Sequence, residues 1–198
     1  MVSGKLKERF NQWIKAEARF LHRLGLSPND VTALGLLLSL CSALLYLNWR
    51  RSPLMLPVAG VLLLSSGFFD ALDGAIARMF GEVTTFGGFL DSLLDRYSDA
   101  AVLAAITLGG LCDPFWGLSA LIGSLLVSYS RARAEAGGVR MASIGFAERA
   151  ERMVFIAFLS LVSPLWMGAL WWGMILLALM VHVTVIQRAH YFYKSTRG

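Results

Sequence analysis

Asp70, Asp73, Asp91 and Asp95 stand inside, or at the ends of, strongly apolar stretches of the chain. A carboxylate is among the costliest groups to place at membrane depth, so four of them in two close pairs point to a metal or proton site. Asp70 and Asp73 are spaced i,i+3 and Asp91 and Asp95 i,i+4, so on helices each pair shares a face. Like charges so placed repel strongly in a region of low dielectric, and a pair of divalent cations removes the conflict. Hard oxygen ligands favour Mg2+ or Mn2+, and two such ions commonly clamp a phosphoryl group under attack. Gly74 and Ala77 leave room for a ligand against the helix backbone, and Arg78 offers a fork suited to a pyrophosphate oxygen.

The elements that carry these acids belong to a membrane protein. Apolar residues make up 57% of the 198 and charged residues 16%, and the mean hydropathy is +0.62, beyond the range usual for a soluble domain. Six hydrophobic segments run over residues 30–48, 54–79, 85–109, 114–135, 148–163 and 166–189. A crossing takes about 20 residues, so the fifth is short and needs local thinning of the bilayer or help from its flanks. Before the first, Lys5 to Leu24 interleaves Lys5, Lys7, Arg9, Lys15 and Arg19 with Phe10, Trp13, Ile14 and Phe20, as an interfacial helix does. Gly25 ends it, and Ser27-Pro28-Asn29 or Asp30 starts the first crossing. The expected fold is an all-α integral membrane protein of one domain, residues 1–198. Six transmembrane helices follow an amphipathic juxtamembrane helix over 1–25. A break around Gly81 to Gly88 is expected to let the second and third crossings pack antiparallel and join the two acidic pairs.

With both termini inside, every Lys and Arg except Arg50 and Arg51 falls on or near the cytoplasmic side. The N-terminal stretch has no signal-peptide pattern. The net charge of +5 is spread among hydrophobic segments, which fits anionic lipid and phosphate-bearing substrates and argues against nucleic acid. Cys41 and Cys112 lie far apart and suggest neither a disulfide scaffold nor a zinc site.

Asp70-Ala-Leu-Asp73-Gly74-Ala-Ile-Ala77-Arg78, followed by Gly87, Asp91 and Asp95 at their spacings, resembles the full signature of the CDP-alcohol phosphatidyltransferases. The resemblance covers nearly the whole chain. It implies transfer of a lipid phosphate from a CDP-linked lipid, CDP-diacylglycerol or CDP-archaeol, to an alcohol with release of CMP. It further implies two Mg2+ or Mn2+ ions, a homodimer in the cell membrane, and a site facing the cytoplasm. Asp70, Asp73 and Asp91 would hold the metals, with Asp95 both a ligand and the base that takes the acceptor proton. Gly74, Arg78, Thr84 and Gly87 match positions that contact the CDP moiety, and Asn29, Asp30, Val31 and Thr32 resemble a segment lying against the same nucleotide.

The second half of the chain bears on the acceptor. Arg131, Arg133, Arg149 and Arg152 cluster at a cytoplasmic cleft, a density suited to a phosphate monoester, and Arg188 is placed to reach the same pocket. The pattern resembles the branch of the family that uses inositol 1-phosphate. Glycerol 3-phosphate is the rival acceptor within the family, and a divalent cation transporter is the rival of another class. The transporter leaves Gly74, Arg78 and Gly87 unexplained. Plainer roles are also open for several of these residues. Arg131 and Arg133 would serve as positive-inside anchors, and Glu148 and Glu151 as braces for the arginines, while Asp99, a turn beyond Asp95, either joins the acidic network or, as the favoured reading, partners Arg96 or Tyr97. Trp166, Trp171 and Trp172 suit an interface belt, and His22, His182 and His190 suit packing. A purely structural salt-bridge role for the four aspartates is disfavoured because few buried cations are expected beside them.

Overall fold

A computed structural model of the chain describes residues 2–141 and 144–197, with side chains from residue 12 onward. Its helices are α1 (Val2–Arg23), α2 (Pro28–Asn48), α3 (Met55–Phe80), α4 (Thr85–Leu108), α5 (Pro114–Ala136), α6 (Arg149–Val162) and α7 (Ala169–Thr196), with a 3-10 turn over Trp49–Arg51. No strand occurs among the described residues.

Local chemistry fixes the helix ends. Ser27 caps α2 in a reciprocal box with Asp30, and Pro28 occupies the first turn, where its missing N–H costs nothing. Gly81, at φ 72°, closes α3 in the left-handed conformation that glycine tolerates. Thr84 then caps α4 by accepting from the Gly87 N–H at 2.9 Å. Asp113 caps α5 ahead of Pro114. Glu148 and Glu151 form the capping box of α6, so Glu151 braces a helix end and not an arginine.

α2, α3 and α7 are long and apolar enough to cross a membrane. α4 has the length, but Asp91, Asp95, Arg96 and Asp99 interrupt its hydrophobicity. α6 has 14 residues, about 21 Å of helix against a hydrocarbon core of about 30 Å. α7 starts at Ala169 because Trp166 to Gly168 form a turn. It continues to Thr196, past the expected end, because nothing in Tyr191-Phe192-Tyr193-Lys194 breaks a helix.

α3 and α4 make their main contacts with α2 and few with each other. Direct antiparallel packing, expected from the sequence, is replaced by a shared support that leaves room between the two acidic faces. α6 lies on α3, and α7 packs on α5 and α6. Glycines set how close these helices come. A Cβ on Gly60 would sit 2.9 Å from the Ala157 carbonyl oxygen, one on Gly123 2.3 Å from Val181, and one on Gly173 2.1 Å from Leu159. Buried hydroxyls add specific bonds: Tyr46 meets Ser160 at 2.6 Å, Ser98 meets Ser39 at 2.6 Å, and Ser42 donates to the Ala59 carbonyl at 2.8 Å. Satisfying polar groups inside an apolar bundle favours one register over others.

α1 rests on α3. Ala18, with Ile14 and Leu21, packs against Leu72, Ala75, Ile76 and Val31, and Trp13 stacks on Phe68 with centroids 4.9 Å apart. Phe20 stays exposed. The side chains of Lys5, Lys7, Arg9 and Phe10, which contribute to the expected amphipathic pattern, lie outside those described.

Candidate active site

The acidic pairs converge as their spacings suggest. Asp70 from α3 and Asp91 and Asp95 from α4 bring one carboxylate oxygen each within 4.8 Å of one another. Asp73 is buried one turn further along α3, where its Oδ2 accepts a hydrogen bond from the Thr32 hydroxyl at 2.7 Å. Asp91 Oδ1 is buried without a hydrogen-bond partner. A desolvated carboxylate oxygen facing two more carboxylates is costly on its own, and a hard divalent cation is the chemistry that such a donor set suits.

A cation of the chain itself also reaches this cluster, contrary to the sequence expectation. Arg149, at the start of α6, places Nη1 2.9 Å from Asp70 Oδ2 and 2.9 Å from Asp95 Oδ1. Its Nε lies 3.5 Å from Asp99 Oδ1, and Asp99 Oδ2 accepts from Arg152 Nη2. Asp99 therefore joins the network and does not pair with Arg96, whose guanidinium turns to Asp95 and the Ser92 carbonyl.

Two cavities flank the acids. One, of about 490 Å³, is lined by Asn29, Thr32, Gly74, Arg78, Thr84 and Gly87, and Asp73 and Asp91 form its acidic wall. Of the eight residues expected to touch the CDP moiety, only Asp30 and Val31 are missing from it. Asp30 is turned to its capping partner Ser27 at 2.7 Å, and Val31 is packed in the α1–α3 core. The first turn of a helix points in all directions, so four consecutive residues cannot face one cavity. Arg78 folds back over Gly74, where a Cβ would meet its Nη1 at 2.9 Å.

The other cavity, of about 570 Å³, has Asp70 and Asp95 on its wall together with Arg131, Arg149, Arg152 and Arg188. Arg131 is held by Glu135 at 3.0 Å. Arg188 is buried, donating to the Ile144 carbonyl at 2.8 Å and the Val127 carbonyl at 2.5 Å, with Glu148 at 3.5 Å. Arg133 lies elsewhere, in a groove with Tyr129 and Phe192. Two residues advance an α-helix by about 200°, so Arg131 and Arg133 face away from each other. Of the two readings that the sequence left for Asp99, membership of the acidic network holds and partnership with Arg96 or Tyr97 does not. The signal was the i,i+4 spacing from Asp95, which continues the acidic face of α4 by another turn.

The histidines form no cluster. His22 meets Glu82 at 3.0 Å and stacks on Phe80, and His182 meets Ser119 at 3.0 Å. Trp166, Trp171 and Trp172 are exposed.

The sequence model of the CDP-alcohol phosphatidyltransferases matches residues 26–186. Archaetidylinositol phosphate synthase of Pyrococcus horikoshii is 40% identical over 189 residues, covering 94% of each chain. Phosphatidylinositol phosphate synthase of Mycobacterium tuberculosis is 36% identical over 196 residues, 90% of this chain and 84% of that one. The crystal structure of the mycobacterial enzyme with CDP-DAG bound superposes with a TM-score of 0.79 at 36% identity, over 91% of this chain and 93% of that one. Its complex with manganese and citrate gives 0.78 at 36% identity, over 91% and 88%.

Proposed function

The chain belongs to the CDP-alcohol phosphatidyltransferase family, and we propose that it transfers the lipid phosphate of CDP-diacylglycerol or CDP-archaeol to a hydroxyl of inositol 1-phosphate, forming phosphatidyl- or archaetidylinositol phosphate and CMP. The observation that carries the choice of acceptor is the second cavity, where Arg96, Arg131, Arg149, Arg152 and Arg188 share a wall with Asp70, Asp95 and Glu148. A phosphate monoester with nearly two negative charges suits that wall, whereas serine, choline and free inositol bring no phosphate to it. Manganese in the related mycobacterial structure supports use of a divalent metal. Family membership removes the cation-transporter alternative.

In this reading Asp70, Asp73, Asp91 and Asp95 hold two divalent ions, Mg2+ or Mn2+, which when bound draw charge from the phosphoryl oxygens. Gly74 and Gly87 let the CDP moiety approach the backbone, Arg78 meets the pyrophosphate, and Asn29, Thr32 and Thr84 complete the pocket. Arg131, Arg149, Arg152 and Arg188 fix the acceptor phosphate, which points the hydroxyl at the acids. Asp95 takes the hydroxyl proton, the acceptor oxygen bonds to the lipid-side phosphorus, and the bond to CMP breaks. The protein is a single membrane domain. α2 to α7 cross as six spans with both termini and the site toward the cytoplasm of the plasma membrane, α1 lies in the interface, and the protein pairs as a homodimer.

Purified protein given CDP-lipid and Mg2+ or Mn2+ should release CMP much faster with inositol 1-phosphate than with glycerol 3-phosphate, serine or free inositol. Equal or better turnover with glycerol 3-phosphate overturns the acceptor assignment.

A further inference from the structure

We infer that Asp99 is a positioning residue for the acceptor-phosphate arginines, an inference that rests on the inositol-phosphate reading above. Asp99 lies one turn beyond Asp95 on α4 and is the acid that both Arg149 and Arg152 address, each through a different oxygen. Arg152 is 3% exposed, and its other terminal nitrogen, Nη1, donates to the Ala147 carbonyl at 2.8 Å. Arg149 has Nη1 on Asp70 and Asp95, and its buried Nε faces Asp99 at ion-pair range without a hydrogen bond.

The surroundings make this carboxylate effective. Asp99 lines a small gap with Leu63, Val102, Leu103, Arg152, Met153 and Ile156, and the two arginines that it addresses also line the larger cavity. Asp99 and Arg152 are both largely shielded from water, at 10% and 3% side-chain exposure, which strengthens a charge-assisted bond. Asp99 thus joins α4, which carries Asp91 and Asp95, to the first turn of α6, which carries the arginines. It holds the acceptor-binding groups at a fixed distance from the general base, while remaining a turn away from the reacting atoms itself.

A plainer role, neutralising Arg152 so that the bundle folds, predicts a different result. Asp99→Asn keeps the shape, removes the charge and leaves one acceptor oxygen in place of two. Positioning predicts an inositol 1-phosphate KM raised roughly ten-fold, with the CDP-lipid KM within about two-fold of wild type. Asp99→Glu keeps the charge and pushes the carboxylate outward by one methylene. Positioning predicts that it also raises the acceptor KM, whereas neutralisation predicts a wild-type value. If Asp99→Asn does not fold, Asp99→Glu decides alone. Unmoved acceptor KM values, or equal rises in both KM values, overturn the role. If the wild-type protein itself releases no CMP with inositol 1-phosphate, the acceptor reading falls and this inference with it. Wild-type turnover with unmoved variants overturns the role of Asp99 alone.

Discussion

Arg149 on α6 and Asp95 on α4 are joined by a 2.9 Å ion pair, and the same guanidinium nitrogen touches Asp70 on α3 at 2.9 Å. One side chain thereby links the acidic cluster to the arginine-lined cavity. Arg149→Ala should raise the KM for inositol 1-phosphate by roughly ten-fold or more and the KM for CDP-lipid far less. The same variant should bind Mn2+ more tightly in the absence of substrates, because a competing positive charge has left the carboxylates. Steady-state kinetics and paramagnetic titration of Mn2+ check the two halves.

Asp95 shares a cavity wall with Asp70, and the proposed reaction gives it the acceptor proton. Asp95→Asn should lower CMP release by about 100-fold to 10,000-fold, the range expected when a general base is lost. Binding of CDP-lipid, followed by equilibrium titration, should change much less.

Chelation of divalent ions by EDTA should abolish CMP release, and Mg2+ or Mn2+ should restore it. Because three carboxylates converge within 4.8 Å, added Mn2+ should also raise the thermal midpoint in detergent, and Asp91→Asn should weaken that rise.

Gly87 faces the nucleotide-side cavity, where a Cβ would meet Thr84 Oγ1 at 2.9 Å and Asn29 Oδ1 at 3.4 Å. Gly87→Ala should therefore raise the CDP-lipid KM several-fold and leave the inositol 1-phosphate KM near wild type. Paired kinetics against both substrates test this split.

Gly60 meets the α6 backbone at Ala157. Gly60→Ala should cost about 1–3 kcal/mol by forcing α3 and α6 apart, seen as a lower thermal midpoint in detergent. Activity should fall as well, because α6 carries Arg149 and Arg152.

Much of this arrangement is legible in the chain because punctuation is local. Ser27-Pro28, Gly81, Thr84 and Asp113-Pro114 each act on adjacent backbone groups, so the starts of α2, α4 and α5 and the stop of α3 follow from a few residues. Helical spacing puts each acidic pair on one face, and the shared support of α3 and α4 on α2 brings the two faces together. Arg133 and Val31 are harder to place: both lie among residues of the right type, and only the rotation of the helix turns them away from the cavities. The Arg149–Asp70 and Arg152–Asp99 pairs join residues more than fifty positions apart. Spacing along one helix says nothing about such pairs; they depend on how α6 lies across α3 and α4.

Each acidic pair is divided between the flanking cavities, with Asp73 and Asp91 toward one and Asp70 and Asp95 toward the other. Where the acceptor and the nucleotide of the proposed reaction take one cavity each, the incoming and outgoing oxygens meet the same phosphorus from opposite faces. Such a route leaves no stage for a phosphorylated enzyme, and it turns the phosphorus inside out like an umbrella in wind. A donor made chiral at that atom with oxygen isotopes should emerge with its handedness reversed.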